Sequence, residues 1–276
     1  MTQTARTAGH LGLDGEEVPD AYFVRLDATH FRSTLHSQGA WNDHEQHMGA
    51  ASGLLAHALE ANHPREDMVA VRFSYDILGL IPGGEVEVTT RVVRPGRTIE
   101  LLEAVMSNGG RSCIRLSTWR LARGETAALA GTHREPLPPV AQAPAAEMRS
   151  RWPGGYIASL EGRSVVGHRP GRAAMWLRAP HAVVAGEESS ATARFLTAVD
   201  AANGIAVRVA PHEAAFPNVD LGVHLLREPV SGWVGLDTDV SFTAQGTGLT
   251  SSALHDEAGY LGQVAQALTV RPFPAT

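Results

Sequence analysis

A helix-length run of small and apolar residues followed by four strand-length runs occurs twice in this chain. A duplication of that kind restricts the fold more than any single motif does. In the first half the helix reads GAASGLLAHALEAN at 49–62, and the strands read VAVRFSYDIL at 69–78, EVEVTTRVV at 85–93, TIELLEAVMS at 98–107 and SCIRLSTWRLA at 112–122. In the second, SSATARFLTAVDAANGIAV at 189–207 precedes NVDLGVHLL at 218–226, GWVGLDTDVSF at 232–242, GLTSSALHD at 248–256 and GYLGQVAQALTVR at 259–271. A shift of about 148 positions lays one half on the other.

The breaks PGG at 82–84, PGR at 95–97 and NGG at 108–110 are turn chemistries, so each half is expected to hold an antiparallel four-strand meander. Further strands are expected before each helix, around 21–35 and 156–178. Between Phe195 and Val207 the one charged side chain is Asp200. A helix without a polar face must be surrounded, and a curved antiparallel sheet wrapped around it does this economically. Five prolines in 134–154 interrupt regular structure. The expected organisation is therefore a loose N-terminal arm over 1–20, a first repeat over 21–133, a linker over 134–154 and a second repeat over 155–276.

These repeats resemble the double hot-dog arrangement, an α+β fold. The second half resembles the type II acyl-CoA thioesterase family in three stretches: FLTAVDAANG with Asp200, PNVDLGVHLLREP with Asn218, and VAQALTVR with Gln266. In that family an Asp on the helix, a Thr or Ser on the next strand and a Gln on the last strand position the hydrolytic water. The resemblance thus implies Asp200, Asn218 and Gln266 as catalytic residues, with Asn218 standing where the family has a hydroxyl.

The residues themselves are consistent with this. A carboxylate among Leu196, Val199 and Ala202 is costly unless hydrogen-bonded or functional. Gln266 shares strand parity with Val264, Leu268 and Val270, so it should face inward and need a partner. At the shift of the strands, Ser52 stands opposite Asp200, Ala70 or Val71 opposite Asn218, and Ser117 or a neighbour opposite Gln266. The polar trio is not duplicated, which predicts one site per chain, where the second helix meets the junction of the halves.

Other chemistries are excluded or disfavoured. All 23 basic residues are Arg, which rules out a Schiff-base lysine and a Walker phosphate loop. A net charge of -6 argues against nucleic acid as a partner. His30, His36, His44, His47, His57 and His63 cluster early, yet DHEQH at 43–47 lacks zincin spacing, so no metal and no cofactor is expected. The segment QGAWNDHEQHMG should instead cap the first helix, through Asn42 or Asp43, and line the mouth of the site. Cys113 reads as a core residue. There is no G-x-S-x-G elbow. With no apolar leader in 1–20 and no run of membrane-spanning length, a cytoplasmic location and no membrane partner are expected.

The expected activity is hydrolysis of an acyl-CoA thioester, with the oxyanion facing backbone N–H groups near the start of the 189–207 helix. Two other functions share the scaffold. One is a non-catalytic acyl-CoA-binding or assembly protein. The other is an enoyl-CoA hydratase, whose family pattern wants His five residues after the Asp, where this chain has Ile205. Association into a homo-oligomer is expected in any of these cases.

Overall fold

Small and straight-chain residues dominate 48–62, and they form α1 (Met48–Asn62), a helix buried almost all round. In this computed structural model, which describes residues 9–13, 15–230 and 232–274, α1 follows β1 (Ala21–Arg25) and β2 (His30–Ser33). It precedes β3 (Met68–Ile77), β4 (Glu85–Arg94), β5 (Ile99–Asn108) and β6 (Arg111–Ala122). The second half holds β7 (Ala145–Ala146), α2 (Gly155–Ser159), β8 (Glu161–Arg169), β9 (Arg172–Arg178), β10 (Ala182–Val184), α3 (Ala191–Val199) and α4 (Ala202–Ile205). It ends with β11 (Ala214–Ala215), β12 (Asp220–Leu225), β13 (Trp233–Phe242), β14 (Thr247–Asp256), β15 (Gly259–Thr269) and β16 (Arg271–Pro272).

The four-strand meander expected in each half has three strands. β4, β5 and β6 are consecutive neighbours, but β3 pairs with the far side of β6, and β12 likewise pairs with β15. The connection over 78–84 is long enough to carry the chain past two strand positions to β4, and the edge of β3 left beside it is taken by β6 rather than by β4. This crossing brings β3 and β12 side by side as an antiparallel pair running from Asp76↔Asp220 to Arg72↔His224. The two strand sets thereby fuse into one 14-stranded sheet, ordered β10-β1-β2-β4-β5-β6-β3-β12-β15-β14-β13-β9-β8-β7. A second link between the halves is the parallel pairing of β1 with β10.

α1 and α3 pack directly on each other, α1 against β4 and β5 and α3 against β9 and β13. The small residues of α1 explain the close approach. A Cβ at Gly49 would collide with the Tyr156 hydroxyl, and one at Gly53 with Thr197 Oγ1 on α3. Ser52 Oγ donates to the Leu196 carbonyl at 2.9 Å across the same contact.

The run expected to be one helix over 189–207 is broken. α3 ends at Val199, Asp200 is its C-cap, and a single turn, α4, follows. At the break the Asp200 side chain is held by Asn218 and Gln266, which come from other elements. The break also corrects the counterpart of Asp200. His47 and Ser190 cap α1 and α3, and Asp200 and His57 each stand ten residues after their caps, so His57 rather than Ser52 occupies the equivalent position.

Of the stretch expected to be a loose arm, residues 1–8 and Asp14 lie outside the described residues. Residues 9–13 are not loose: His10 is buried, with Nδ1 2.9 Å from Ser33 Oγ and Nε2 3.1 Å from the Glu45 carbonyl. Among the described residues no helix is long and apolar enough to cross a membrane. Cys113 is buried in the core.

Candidate active site

Three backbone features converge on Asp200. The C-terminal end of α3 delivers its carboxylate, the segment entering β12 delivers Asn218, and β15 delivers Gln266 from an interior position of the sheet. The alternation of β15 buries Val264, Gln266 and Leu268 together, as their parity requires. Asn218 Nδ2 donates to Asp200 Oδ1 at 2.9 Å, and Gln266 Nε2 donates to the same oxygen at 2.8 Å. The three residues singled out in the sequence therefore meet in one cluster. Asn218 Nδ2 also donates to the Asp220 carbonyl at 3.0 Å. Both carboxamides thus hold the carboxylate itself.

Asp200 Oδ2 takes no side-chain hydrogen bond among the described residues, and Asp200 lines a cavity of about 670 Å³. Burial pushes its pKa up to about 6, against the pull of Asn218, Gln266 and the Gly49 backbone N–H, each of which favours the charged form. Gln266 Oε1 is buried and has no partner among the described residues.

The opposite wall comes from the first half. Trp41, Gln46, His47 and Met48 line the cavity together with Trp152, Asn203 and Gly204. Trp41, Trp152 and Phe216 form an edge-to-face cluster with ring centroids 4.9 to 5.7 Å apart. The 38–49 segment thus lines the cavity as expected, but the α1 cap is His47 rather than Asn42 or Asp43. Its Nδ1 accepts the Gly49 N–H at 3.1 Å. Asn42 Oδ1 instead accepts from the His44 N–H in a local turn.

His47 Nδ1 also lies 3.3 Å from Asp200 Oδ2. Burial holds the His47 pKa down to about 3, so the imidazole is neutral and the contact is not an ion pair. The ring stacks on Tyr156, with centroids 3.9 Å apart and planes 16° from parallel. Sequence reasoning placed His47 within the lining segment without singling it out. Its usable signal was position, a histidine immediately before the small-residue helix.

The helix terminus at the site also differs from the expected one. Asp200 is at the far end of α3 from its first turn, so the α3 start cannot face the same substrate atom; about nine residues at 1.5 Å rise separate them. The N-terminus of α1 adjoins the carboxylate instead. As for metals, one group among the described residues, Asp20, His36 and His181, brings three ligand atoms within 4.8 Å of one another, and none of the three lines the cavity.

Residues 128–270 match the acyl-CoA thioesterase C-terminal domain family, and residues 37–121 match the acyl-CoA thioesterase N-terminal domain family. Among curated proteins none matches. Solved structures with a similar fold include a hot-dog protein of unknown function from Alicyclobacillus acidocaldarius, at TM-score 0.73 and 14% identity, covering 93% of this chain and 98% of that one. A protein of Novosphingobium aromaticivorans, provisionally described as a thioesterase, has TM-score 0.68 and 20% identity over 90% of this chain and 98% of its own. The tesB protein of Mycobacterium avium subspecies paratuberculosis has TM-score 0.65 and 15% identity over 91% and 96%.

Proposed function

This chain belongs to the acyl-CoA thioesterase family and is a thioester hydrolase, and from that premise we propose that Asp200, held by Asn218 and Gln266, activates the water that cleaves an acyl-CoA. In this reading the chain is a double hot-dog in which each repeat wraps a helix, α1 or α3. The proposal keeps the boundaries 21–133 and 155–276 for the repeats, with 134–154 as linker.

The single observation that carries the reading is the asymmetry of the Asp200 carboxylate. Oδ1 accepts from two carboxamides, no side chain among the described residues donates to Oδ2, and Asp200 lines the cavity. Water at Oδ2 loses a proton to it as its oxygen attacks the thioester carbonyl carbon. The tetrahedral intermediate then breaks its C–S bond, the CoA thiolate leaves, and the proton on Asp200 passes to it. A thiol on the cysteine scale ionises near 8.5, so the leaving group needs no strong acid. A base with pKa near 6 is ionised at neutral pH and basic enough to accept the proton.

The apolar and aromatic wall of Trp41, Met48, Ile157 and Trp152 takes the acyl chain, and Arg271, exposed in β16 at the cavity, faces the CoA phosphates. The cytoplasm, fatty acid metabolism and a homo-oligomeric state belong to the same proposal. The test is release of free CoA, read with a thiol reagent, from short, medium, long and aromatic acyl-CoAs. Wild-type protein releases it, and Asp200→Asn, folded, releases it at least about 10²-fold more slowly. Undiminished turnover by the variant would remove Asp200 from the chemistry.

A further inference from the structure

We propose that His47 is a further catalytic residue of this site, donating from Nε2–H to the oxygen of the thioester as negative charge builds on it. The proposal rests on the hydrolytic reading above and adds to it the electrophile.

The tautomer follows from geometry. The Gly49 N–H points at His47 Nδ1 and is accepted there at 3.1 Å, so Nδ1 presents its lone pair. The nearby Asp200 Oδ2, at 3.3 Å, lies off the direction a ring N–H would take and forms no hydrogen bond with Nδ1. A neutral imidazole with a lone pair on Nδ1 carries its hydrogen on Nε2. That N–H has no partner among the described residues, yet His47 is not sealed: its side chain is 16% exposed, and it lines the cavity.

The ring is also preorganised. Stacking on Tyr156 fixes its plane, and the Tyr156 hydroxyl is itself tied to the Thr197 carbonyl at 2.6 Å. The cap bond to Gly49 fixes its rotation. One side chain therefore touches the base with one edge and offers a donor to the cavity with the other. Placed so, Nε2–H and the base address the two ends of the same attack, the carbonyl oxygen and the incoming water. A neutral imidazole suits this task because it stabilises oxyanion charge without surrendering a proton.

The two amide replacements of His47 separate this role from a structural one. Asn can keep the cap, since it is among the best residues there, but places nothing at the Nε2 position. Gln extends its amide N–H to about where Nε2–H lies and abandons the cap geometry. With the acyl-CoA that wild type cleaves fastest, His47→Asn is expected to lower kcat by about 10²–10³ with KM nearly unchanged, while His47→Gln keeps most of the rate. The carbonyl stretch of a bound ketone analogue of that acyl-CoA, in which CH₂ replaces sulfur, should shift to lower frequency in wild type and His47→Gln, and lose that shift in His47→Asn. Wild-type kcat in His47→Asn overturns the proposal, as does a loss common to both variants with an unchanged carbonyl stretch. Failure of the hydrolytic reading is distinguishable, because it shows as full turnover in Asp200→Asn whatever His47 does.

Discussion

Burying a carboxylate costs stability, and at Asp200 that cost can be measured. Its pKa in the fold, about 6, lies above the ordinary 3.8, so the folded state binds the proton more tightly than the unfolded chain does. This contribution is fully present below about pH 4 and is lost as pH rises through about 6. Above that the charged form weighs against folding by about 3 kcal/mol. His47 runs the other way: its pKa is depressed to about 3, so its contribution is present above about pH 6.5 and fades as pH falls. The two slopes oppose each other between about pH 4 and 6, which hides Asp200 in the wild-type profile. Comparing urea unfolding of Asp200→Asn and wild type exposes it. The variant should gain stability over wild type as pH rises from 4 to 7, because the wild-type carboxylate acquires a buried charge over that range and the amide does not. With Asp200 as the proposed base, kcat/KM should rise through about pH 6 to a plateau, and Asn218→Ala or Gln266→Met, by removing a donor to Oδ1, should move that limb to higher pH. That Asp200, Asn218 and Gln266 come together was legible in sequence, through isolation on an apolar helix, strand parity and family resemblance. That the carboxamides hold the carboxylate was not, because which polar atom pairs with which depends on side-chain placement that spacing leaves open.

Gly53 lets α1 approach α3 to a distance where a methyl group strikes Thr197 Oγ1, whose hydroxyl is bonded to the Ala193 carbonyl at 3.0 Å. Gly53→Ala should therefore destabilise by about 1–3 kcal/mol despite its better helix propensity, whereas Gly124→Ala, where a Cβ meets nothing, should stay within about 0.5 kcal/mol by thermal or urea unfolding. The eight long strands of the two repeats were legible to within two residues at most ends, since hydrophobic alternation and turn chemistry are local. Neighbour relations were not. Whether a Pro-Gly-Gly segment turns a hairpin or begins a crossing depends on which strand edge is vacant, and no local pattern records that. The break of the second helix at Asp200 was equally hidden, since Ala201 and Ala202 continue a helical composition across it.

At the scale of the molecule, the halves are joined by structure more than by chain. The β3–β12 pairing, the β1–β10 pairing and the α1–α3 contact all cross between them, while residues 123–136 are exposed throughout. Limited trypsin treatment should thus cut at Arg134, and the nicked halves should co-elute on size exclusion with acyl-CoA hydrolysis retained; separation into fragments would show that the linker is needed for cohesion. The described sheet ends in two- and three-residue strands, β7 and β10, short edges that discourage open-ended pairing. The recurring helix-and-strand order was the most legible feature of the sequence because it is a whole pattern, whereas the fusion into one sheet arises only from contacts between the halves. Whether Asp200 delivers water to the thioester is read by a single turnover in H₂¹⁸O with enzyme in excess. One ¹⁸O atom in the released acid with Asp200 unlabelled is the result expected; ¹⁸O in the Asp200 carboxylate would mean that the side chain itself attacks, and would contradict it.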